Sequence, residues 1–430
     1  MKLRMAIFFA LLPLLATAQD ESNRWLEKLK DFKIQPTLGF QLWGTYTNGE
    51  ELYNEDVGRY ENIDNRVNFQ IRRTRIGLKG QPYENLKFNL TGALDLVGRD
   101  ILAGTEGGGN NGGSPSFRVW NAYVQWRVRN NDEALNLVVG YLPAQIGRES
   151  MTSALRSTSM EKAWSQNYLR RHLTGIGPGR AVGVNLGGIL LPEKGKIGIG
   201  YDVGIYNPVF EGFSGNSIGK HFSPLLVGRL AWHIGDPEFK KYTISHKVNY
   251  FGKRNGLTVA IAGATQGETD LFLQNQALGI DVLFNWGNLN IDGDWTILSR
   301  GGERLLEDEI RAFTSTSNTG YIRASYNLVL PNQFVLEPVV MLVQFNGALD
   351  AIEQADASSV GALHGTDQSL DFGFNLYPNP DLKLSLHYTF RRGDAGAVGD
   401  GAKINNYFYQ SGAGAIHRGE WLGMGLIAIF

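Results

Sequence analysis

The chain has 430 residues, with 41 Lys and Arg against 42 Asp and Glu, and its formal net charge of −1 gives no reason to expect nucleic acid as a partner. It contains no cysteine, which excludes disulfides, thiolate metal sites, cysteine nucleophiles and lipid attachment through a cysteine. Beyond the N-terminus no apolar run approaches the ~20 residues of a transmembrane helix, so a membrane protein of this composition would have to be a β-barrel.

The N-terminus has the pattern of a secretory signal. Lys2 and Arg4 precede an uncharged run over residues 5–15, and the small residues at 16–18 fit a cleavage site. We therefore predict that residues 1–18 are a signal peptide.

Residues 19–32 are predicted to be a short periplasmic segment ahead of the barrel, which takes up residues 33–430. Trp25, Leu29 and Phe32 have helical spacing, which indicates a short amphipathic helix; a disordered leader is the alternative.

The rest of the chain shows period-two alternation in segments of roughly ten residues, the length that a tilted strand needs to cross a bilayer. From residue 86 to 96, for example, Leu86 and Phe88 begin an apolar face, whereas Lys87 and Asp95 lie on the other face. We predict an all-β, antiparallel transmembrane barrel of about sixteen strands. The predicted strands lie near 33–46, 67–80, 85–98, 117–128, 134–141, 180–190, 196–206, 224–234, 256–265, 276–286, 288–300, 318–330, 332–345, 367–377, 381–392 and 418–430.

Short and long connections alternate between these strands, as periplasmic turns and extracellular loops do in outer-membrane barrels. Residues 235–255 are the exception, because they occupy the place of a short turn. They are either a periplasmic excursion or extra strand material, and the second reading makes eighteen strands possible. The predicted long loops include 47–66, 99–116, 142–179, 207–223, 301–317, 346–366 and 393–417.

The last strand has an apolar face that ends in an aromatic residue at the C-terminus. Leu422, Met424 and Leu426 lead to Phe430 on that face. This ending is typical of outer-membrane barrels.

The third long loop, 142–179, is predicted to be partly helical, because residues 150–172 contain neither Gly nor Pro. Its position between the fifth and sixth strands favours folding into the barrel, where it would narrow the pore; covering the extracellular mouth is the alternative. Its candidate constriction residues are Arg148, Arg156, Lys162, Arg170 and Arg171.

Basic residues with the parity of the lumen are candidates for guiding anions, because charges along a pore set which ions pass. Arg73, Arg75 and Lys79 would form a column on one strand. Other strands contribute Lys87, Arg127, Arg229, Arg323 and Arg391. Acidic residues such as Asp95 and Asp281 share that parity, so mixed lining of a water-filled lumen is the alternative.

Signals for an enzyme are weak. The sequence has no Gly-x-Ser-x-Gly, His-Glu-x-x-His or Walker phosphate loop, and its seven histidines share no metal-ligand spacing, so we expect no cofactor, metal or catalytic residue. An outer-membrane esterase or phospholipase stays an alternative, although Ser385 and His387 lie on one strand with the same parity. A closed structural barrel is the other alternative. A TonB-dependent transporter is disfavoured, because ~22 strands and a plug do not fit.

Several stretches of the first half of the chain resemble the phosphate-selective porin O and P family. They are 72–80, 86–88, 121–124, 137–143, 149–153 and 179–184. The resemblance implies a sixteen-stranded barrel that forms homotrimers, with a third loop that constricts the lumen. It also implies an anion-guiding role for Arg73, Arg75, Lys79 and Arg180. A general or organic-anion pore stays open beside a phosphate pore.

These observations predict a passive porin in the outer membrane of a Gram-negative bacterium. Its partners would be membrane lipid and small hydrophilic solutes, with anions such as phosphate favoured.

Overall fold

The computed structural model describes residues 31–102, 116–191, 197–208, 219–306, 309–397, 407–410 and 413–430. The predicted signal peptide and nearly all of the predicted periplasmic segment lie outside these ranges. Sixteen strands form the barrel: β1 Gln35–Asn48, β2 Arg66–Tyr83, β3 Leu86–Val97, β4 Arg118–Arg127, β5 Asn136–Pro143, β6 Arg180–Leu190, β7 Gly198–Asn207, β8 Leu225–Gly235, β9 Gly256–Gln266, β10 Gln274–Trp286, β11 Leu289–Leu306, β12 Glu309–Tyr326, β13 Val335–Asn346, β14 Thr366–Asn379, β15 Leu382–Asp394 and β16 Glu420–Ile429.

The sheet is closed and antiparallel throughout. Each strand pairs with its neighbours in the chain, and β1 pairs with both β2 and β16, so that Gly39 lies opposite Arg75 on one side and Ile429 on the other. Closure leaves no strand edge without a partner, which is the requirement for a sheet in lipid. The prediction of sixteen strands is confirmed, and residues 236–255 do not add two more to the barrel.

The alternating pattern sorts side chains as predicted. On β10, Leu278 and Ile280 point outward and are 65% and 48% exposed, whereas Ala277 and Asp281 point inward and are 4% and 3% exposed. The apolar faces therefore form the outer surface, where a membrane barrel meets lipid. Aromatic side chains are exposed where strands reach the periplasmic rim, at Tyr83, Trp126, Trp286, Tyr326 and Phe430.

One predicted loop is wrong. The segment 301–317 is not a long loop, because β11 continues to Leu306 and β12 begins at Glu309. The two strands stay paired over this stretch, with Arg304 opposite Arg311. Above the bilayer neither face of a hairpin has to be apolar, so the alternation that identified the strands in the sequence stops before the hydrogen-bonded ladder does.

The third loop is partly helical, as predicted. It contains a single helical turn, α1 Arg148–Met151, a 3-10 turn at Ala154–Arg156 and the longer helix α2 Ser165–Thr174. A further helix, α3 Ala351–Ser359, lies in the loop between β13 and β14 and is capped by the Asp350 side chain, which accepts hydrogen bonds from the backbone of Ile352 and Glu353. Within the part of the chain that the structure describes, no helix is long and apolar enough to cross a membrane.

A second, small sheet lies beyond the ends of the barrel strands on the extracellular side. It joins the first and last loops through the short strands Glu51–Asn54, Arg59–Asn62, Tyr407–Gln410 and Gly414–His417.

Candidate functional site

The third loop passes through the lumen from one rim of the barrel to the other. After the extracellular end of β5 it descends until Arg156 bonds the Asp381 carboxylate at 2.6 Å, in the periplasmic turn between β14 and β15. It then returns, and near its extracellular end the Trp164 indole donates to Ser369 Oγ at 2.6 Å. The loop therefore occupies the interior of the barrel, as its position in the sequence predicted.

Buried ion pairs fix the start of the loop to the side of the wall formed by β8–β12. Arg148 of α1 lies 2.9 Å from Asp281 on β10, and Glu149 lies 3.1 Å from Arg323 on β12. Asp281 also pairs with Arg229 on β8, at 2.9 Å. Arg148, Arg229 and Arg323, all predicted to act in the pore, are thus buried and hold the loop in place instead of facing open space. Parity alone could not separate a paired lumen arginine from a free one.

The other side of the lumen is open. A cavity of about 910 Å³ extends along the inner face of β1–β6. Gln81 and Phe430 line it at the periplasmic rim, and Pro143 and Arg180 line it at the extracellular ends of β5 and β6. The cavity therefore extends from the periplasmic rim to the level at which the short strands β5 and β6 reach their extracellular ends.

The lining of this cavity is strongly basic. Among the described residues that line it, Glu238 has the single acidic side chain, and it is itself paired with Arg148. The basic lining residues are Lys33, Arg73, Arg75, Lys79, Lys87, Arg156, Lys162, Arg170, Arg180 and Lys247. Eight of these ten were predicted from the sequence as anion-guiding or constriction residues; Lys33 and Lys247 were not.

Three of the ten cations are neutralised by carboxylates. Arg73 pairs with Glu161, Arg75 with Asp95, and Arg156 with Asp381. The remaining seven have no carboxylate within ion-pair distance among the residues that the structure describes: Lys33, Lys79, Lys87, Lys162, Arg170, Arg180 and Lys247. The cavity therefore has a net positive charge that the described residues around it do not balance.

Three of the unpaired cations are nearly completely buried and bond only neutral oxygens. Lys162 Nζ donates to the Thr152 carbonyl at 2.7 Å, and Arg170 donates to the Ser150 carbonyl at 2.7 Å. Arg180 donates to Asn121 Oδ1 at 2.9 Å and to a backbone carbonyl at 2.7 Å. A buried charge without an opposite charge is costly, and a diffusing anion would supply the missing one.

The pKa values of the loop residues agree with this crowding of positive charge. Burial, and then the charge of Arg170, hold the pKa of Lys162 well below its usual value. Burial also lowers the pKa of Arg170 to about 10. Burial alone would raise the pKa of Glu161, but Arg72 and Arg73 outweigh it and lower that pKa to about 2, so this carboxylate stays ionised.

Two lumen residues were missed because β-bulges change the parity of their strands. Gln41 pairs with Arg73 and Leu42 with Ile71, which leaves Arg72 as an extra residue that turns inward to Glu161, at 2.7 Å. A bulge places two residues of one strand opposite one residue of its neighbour, so alternation cannot be carried through it.

The second bulge, on β4, brings Trp120 into the cavity. The guanidinium carbons of Arg180 and Arg75 lie 3.8 Å and 4.1 Å from the centre of its ring. Cation–π attraction of this kind holds two arginines near one another despite their like charges.

The other predicted residues lie outside the cavity. Arg127 pairs with Glu84 and Glu133 at the periplasmic rim, at 3.3 Å and 3.4 Å. Arg171 lines a separate small pocket beside α2. Arg391 is buried at the extracellular end of β15.

The residues considered for an esterase do not form a catalytic pair. Ser385 Oγ donates to Asn375 Oδ1 at 2.7 Å, and the His387 ring bonds Asp371 at 2.8 Å and the same Asn375 oxygen at 3.2 Å. The hydroxyl is therefore directed to an amide and not to an imidazole that could take its proton.

Comparison with known proteins agrees with this fold. The chain is similar to the outer-membrane channel DcaP of Acinetobacter baumannii (13% identity, 92% of this chain and 97% of that chain, TM-score 0.54). It is also similar to an anion-selective porin from Comamonas acidovorans (12% identity, 92% and 100%, TM-score 0.52) and to OprB of Pseudomonas putida (8% identity, 96% and 97%, TM-score 0.56). At these identities the likeness shows the barrel fold.

The family resemblance is confirmed over residues 48–190, about a third of the chain. The family model for phosphate-selective porin O and P matches residues 48–190, a range that includes the third loop and the basic strands β2–β6. No curated protein sequence matches the chain. The family match and the porin fold together support an outer-membrane channel rather than an enzyme, located in the outer membrane of a Gram-negative bacterium.

Proposed function

We propose that this protein is an anion-selective porin, through which small anions such as phosphate diffuse passively. The observation that carries the proposal is the charge of the cavity. Among the described residues, ten basic side chains line it, seven of them lack a carboxylate partner, and one acidic side chain lines it. A water-filled passage with this lining concentrates anions and repels cations.

The unpaired cations follow one another along the cavity. Lys79 and Lys87 lie on the periplasmic half of β2 and β3, whereas Arg170 and Arg180 lie near the extracellular end. An anion that leaves one of them therefore meets the next. Passage needs sites that attract an ion but hold it weakly enough to release it, and water-exposed lysines in series meet that requirement.

Phosphate is proposed because the matching family is that of phosphate-selective porins, and the Comamonas acidovorans porin to which the chain is similar is also anion-selective. Arg–phosphate and Arg–carboxylate pairs use the same bidentate geometry, so the arginines of the cavity suit both kinds of anion. We also propose that the protein forms a homotrimer, as the family resemblance implies; cross-linking in detergent would test this.

Conductance in planar bilayers tests the proposal. With purified protein and a salt gradient, the reversal potential should have the sign of anion permeation. The competing anions are phosphate, sulfate, a dicarboxylate and chloride. Each is added in turn, and the anions are ranked by how strongly each one blocks the current that the others carry. A protein that gives no conductance would support a closed structural barrel instead, and cation selectivity would refute the proposal.

A further inference from the structure

The long connection between β8 and β9, residues 236–255, lies inside the barrel. We call it the periplasmic strap. On one side of the lumen its Tyr242 hydroxyl bonds Asp202 on β7 and accepts a hydrogen bond from Asn185 on β6 at 2.8 Å. On the other side its Asn249 donates to Glu337 on β13 at 2.8 Å. The strap therefore spans the lumen between two distant parts of the wall.

Further hydrogen bonds fix the strap along its length. The Tyr242 backbone amide donates to Glu133 at 3.1 Å and its carbonyl accepts from Gln125 at 3.2 Å. Asn285 on β10 donates to the Val248 carbonyl at 3.1 Å. Tyr242, Val248 and Asn249 are all buried, so these bonds lie away from bulk water.

The strap also holds the third loop. Its Glu238 carboxylate bonds the Arg148 guanidinium at 2.7 Å and 3.2 Å, and both side chains are completely buried. The backbones of the two segments pair as well, because the His246 amide donates to the Met151 carbonyl and the Ser153 amide donates to the His246 carbonyl, each at 3.2 Å. The loop meets the strap through an ion pair and a short stretch of β-bridge.

The strap forms part of the wall of the basic cavity. Eight of its residues line that cavity: Glu238, Phe239, Tyr242, Thr243, Ile244, Ser245, His246 and Lys247. The open cross-section of the lumen is therefore bounded by the barrel wall, by the third loop and by the strap.

We propose that the periplasmic strap is a second constriction element, which sets the size limit for solutes and keeps the third loop in one position. Displacing the loop would separate Arg148 from Glu238 inside the barrel, and breaking one partner away from a buried ion pair is strongly unfavourable. Glu238 is a positioning residue in this account, since it acts on the pore through Arg148.

Neutral solutes test the proposal without reference to anion selectivity. We compare Glu238→Gln with the control Lys240→Gln, which changes an exposed strap residue that does not line the cavity. The readouts are single-channel conductance, its fluctuations, and the size of the largest neutral polymer that reduces the current. Glu238→Gln should increase the fluctuations and shift the polymer limit to larger polymers, whereas Lys240→Gln should match the unaltered protein.

The polymer limit separates positioning from charge. Losing a negative charge from the lining could by itself change the ionic current, but it would not admit larger neutral polymers. If Glu238→Gln changed the conductance and left the polymer limit and the fluctuations unaltered, the positioning role would be refuted, while the anion proposal would be unaffected.

A cross-link gives a second test, and the reduced double-cysteine variant is its reference because His246 bonds the buried Glu238 carboxylate at 3.0 Å in the unaltered protein. Thr152 and His246 are bridge partners, and the chain has no cysteine of its own, so Thr152→Cys with His246→Cys creates a single possible disulfide. We expect it to form on oxidation and to leave conductance and polymer limit as in the reduced variant. A disulfide that does not form, or one that closes the pore, would show that loop and strap separate in the conducting state and would overturn the proposal.

Discussion

Replacing Arg180 with glutamine removes one buried, unpaired cation from the cavity while keeping a side chain that can bond Asn121. Arg180 is suited to this test because it lies on β6 and not in the third loop, so the change leaves the loop's ion pairs intact. We expect anion selectivity to be weaker in Arg180→Gln than in the unaltered protein.

The size of the effect follows from the size of the cavity. A sphere of 910 Å³ has a radius of about 6 Å, which we take as the distance between the lining charge and a passing ion. At about 6 Å two unit charges interact by about 0.7 kcal/mol in water and about 2.8 kcal/mol at an effective dielectric constant near 20. The lower value changes an equilibrium by a factor of about 3.

An anion loses this attraction when Arg180 is neutralised, and a cation loses the equal repulsion. The ratio of anion to cation permeability should therefore fall by roughly tenfold at low salt and by less at high salt, where screening shortens the range of the charge. The assay is the reversal potential in a planar bilayer under a salt gradient. Arg304→Gln is the control, because Arg304 pairs with Asp356 and does not line the cavity. An unchanged reversal potential for Arg180→Gln would refute the reasoning.

Three further changes have defined outcomes. Glu161→Gln removes the carboxylate that neutralises two pore arginines, so it should raise anion selectivity in the same assay, opposite in sign to the Arg180 variant. Asp281→Asn breaks two buried ion pairs and should lower the free energy of unfolding in detergent by about 3–5 kcal/mol. Burial raises the pKa of Glu50 to about 7, although four nearby arginines act to lower it. The stability of the protein should therefore fall as the pH rises from 4.5 through 7, because the buried carboxyl group becomes charged. Glu50→Gln should raise the unfolding temperature at pH 8, where Glu50 is ionised, but not at pH 4.

For each of these three variants, one outcome would contradict the prediction. Lower anion selectivity in Glu161→Gln would mean that the carboxylate holds the arginines in a useful position rather than neutralising them. For Asp281→Asn the control is Asp56→Asn, an exposed site, and equal unfolding in both would show that the buried pairs contribute little. If Glu50→Gln changed the unfolding temperature by the same amount at pH 4 and at pH 8, ionisation of Glu50 would be excluded as the cause.

The barrel could be predicted from the sequence because lipid imposes a simple rule on each strand. Every outward side chain has to be apolar over the height of the bilayer, as at Leu278 and Ile280. The alternation of apolar and polar residues along the sequence therefore indicates both the number of strands and which side chains point outward. Beyond the bilayer this requirement does not apply, and there the prediction from sequence was wrong. The segment 301–317 was predicted to be a loop, but in the structure β11 and β12 form a paired hairpin there, whose residues are mostly polar.

Bulges explain the lumen residues that parity missed. Arg72 and Trp120 are each the extra residue of a bulge, and both turn inward. A bulge depends on the pairing of two strands, and the alternation of a single strand does not reveal it.

Pairing between distant residues explains the rest. Parity placed Arg73, Arg229 and Arg323 alike in the lumen, but only Arg73 lines the cavity, because the other two are covered by carboxylates and by the third loop. Arg148 and Glu238 are 90 positions apart in the chain, and no local pattern connects them.

The most direct test of an anion-selective pore is the reversal potential of the unaltered, purified protein in a planar bilayer with a potassium chloride gradient. The unpaired cations of the cavity predict a potential close to that of chloride at low salt, moving toward zero selectivity as salt increases. A potential close to that of potassium, or no conductance at all, would contradict the account.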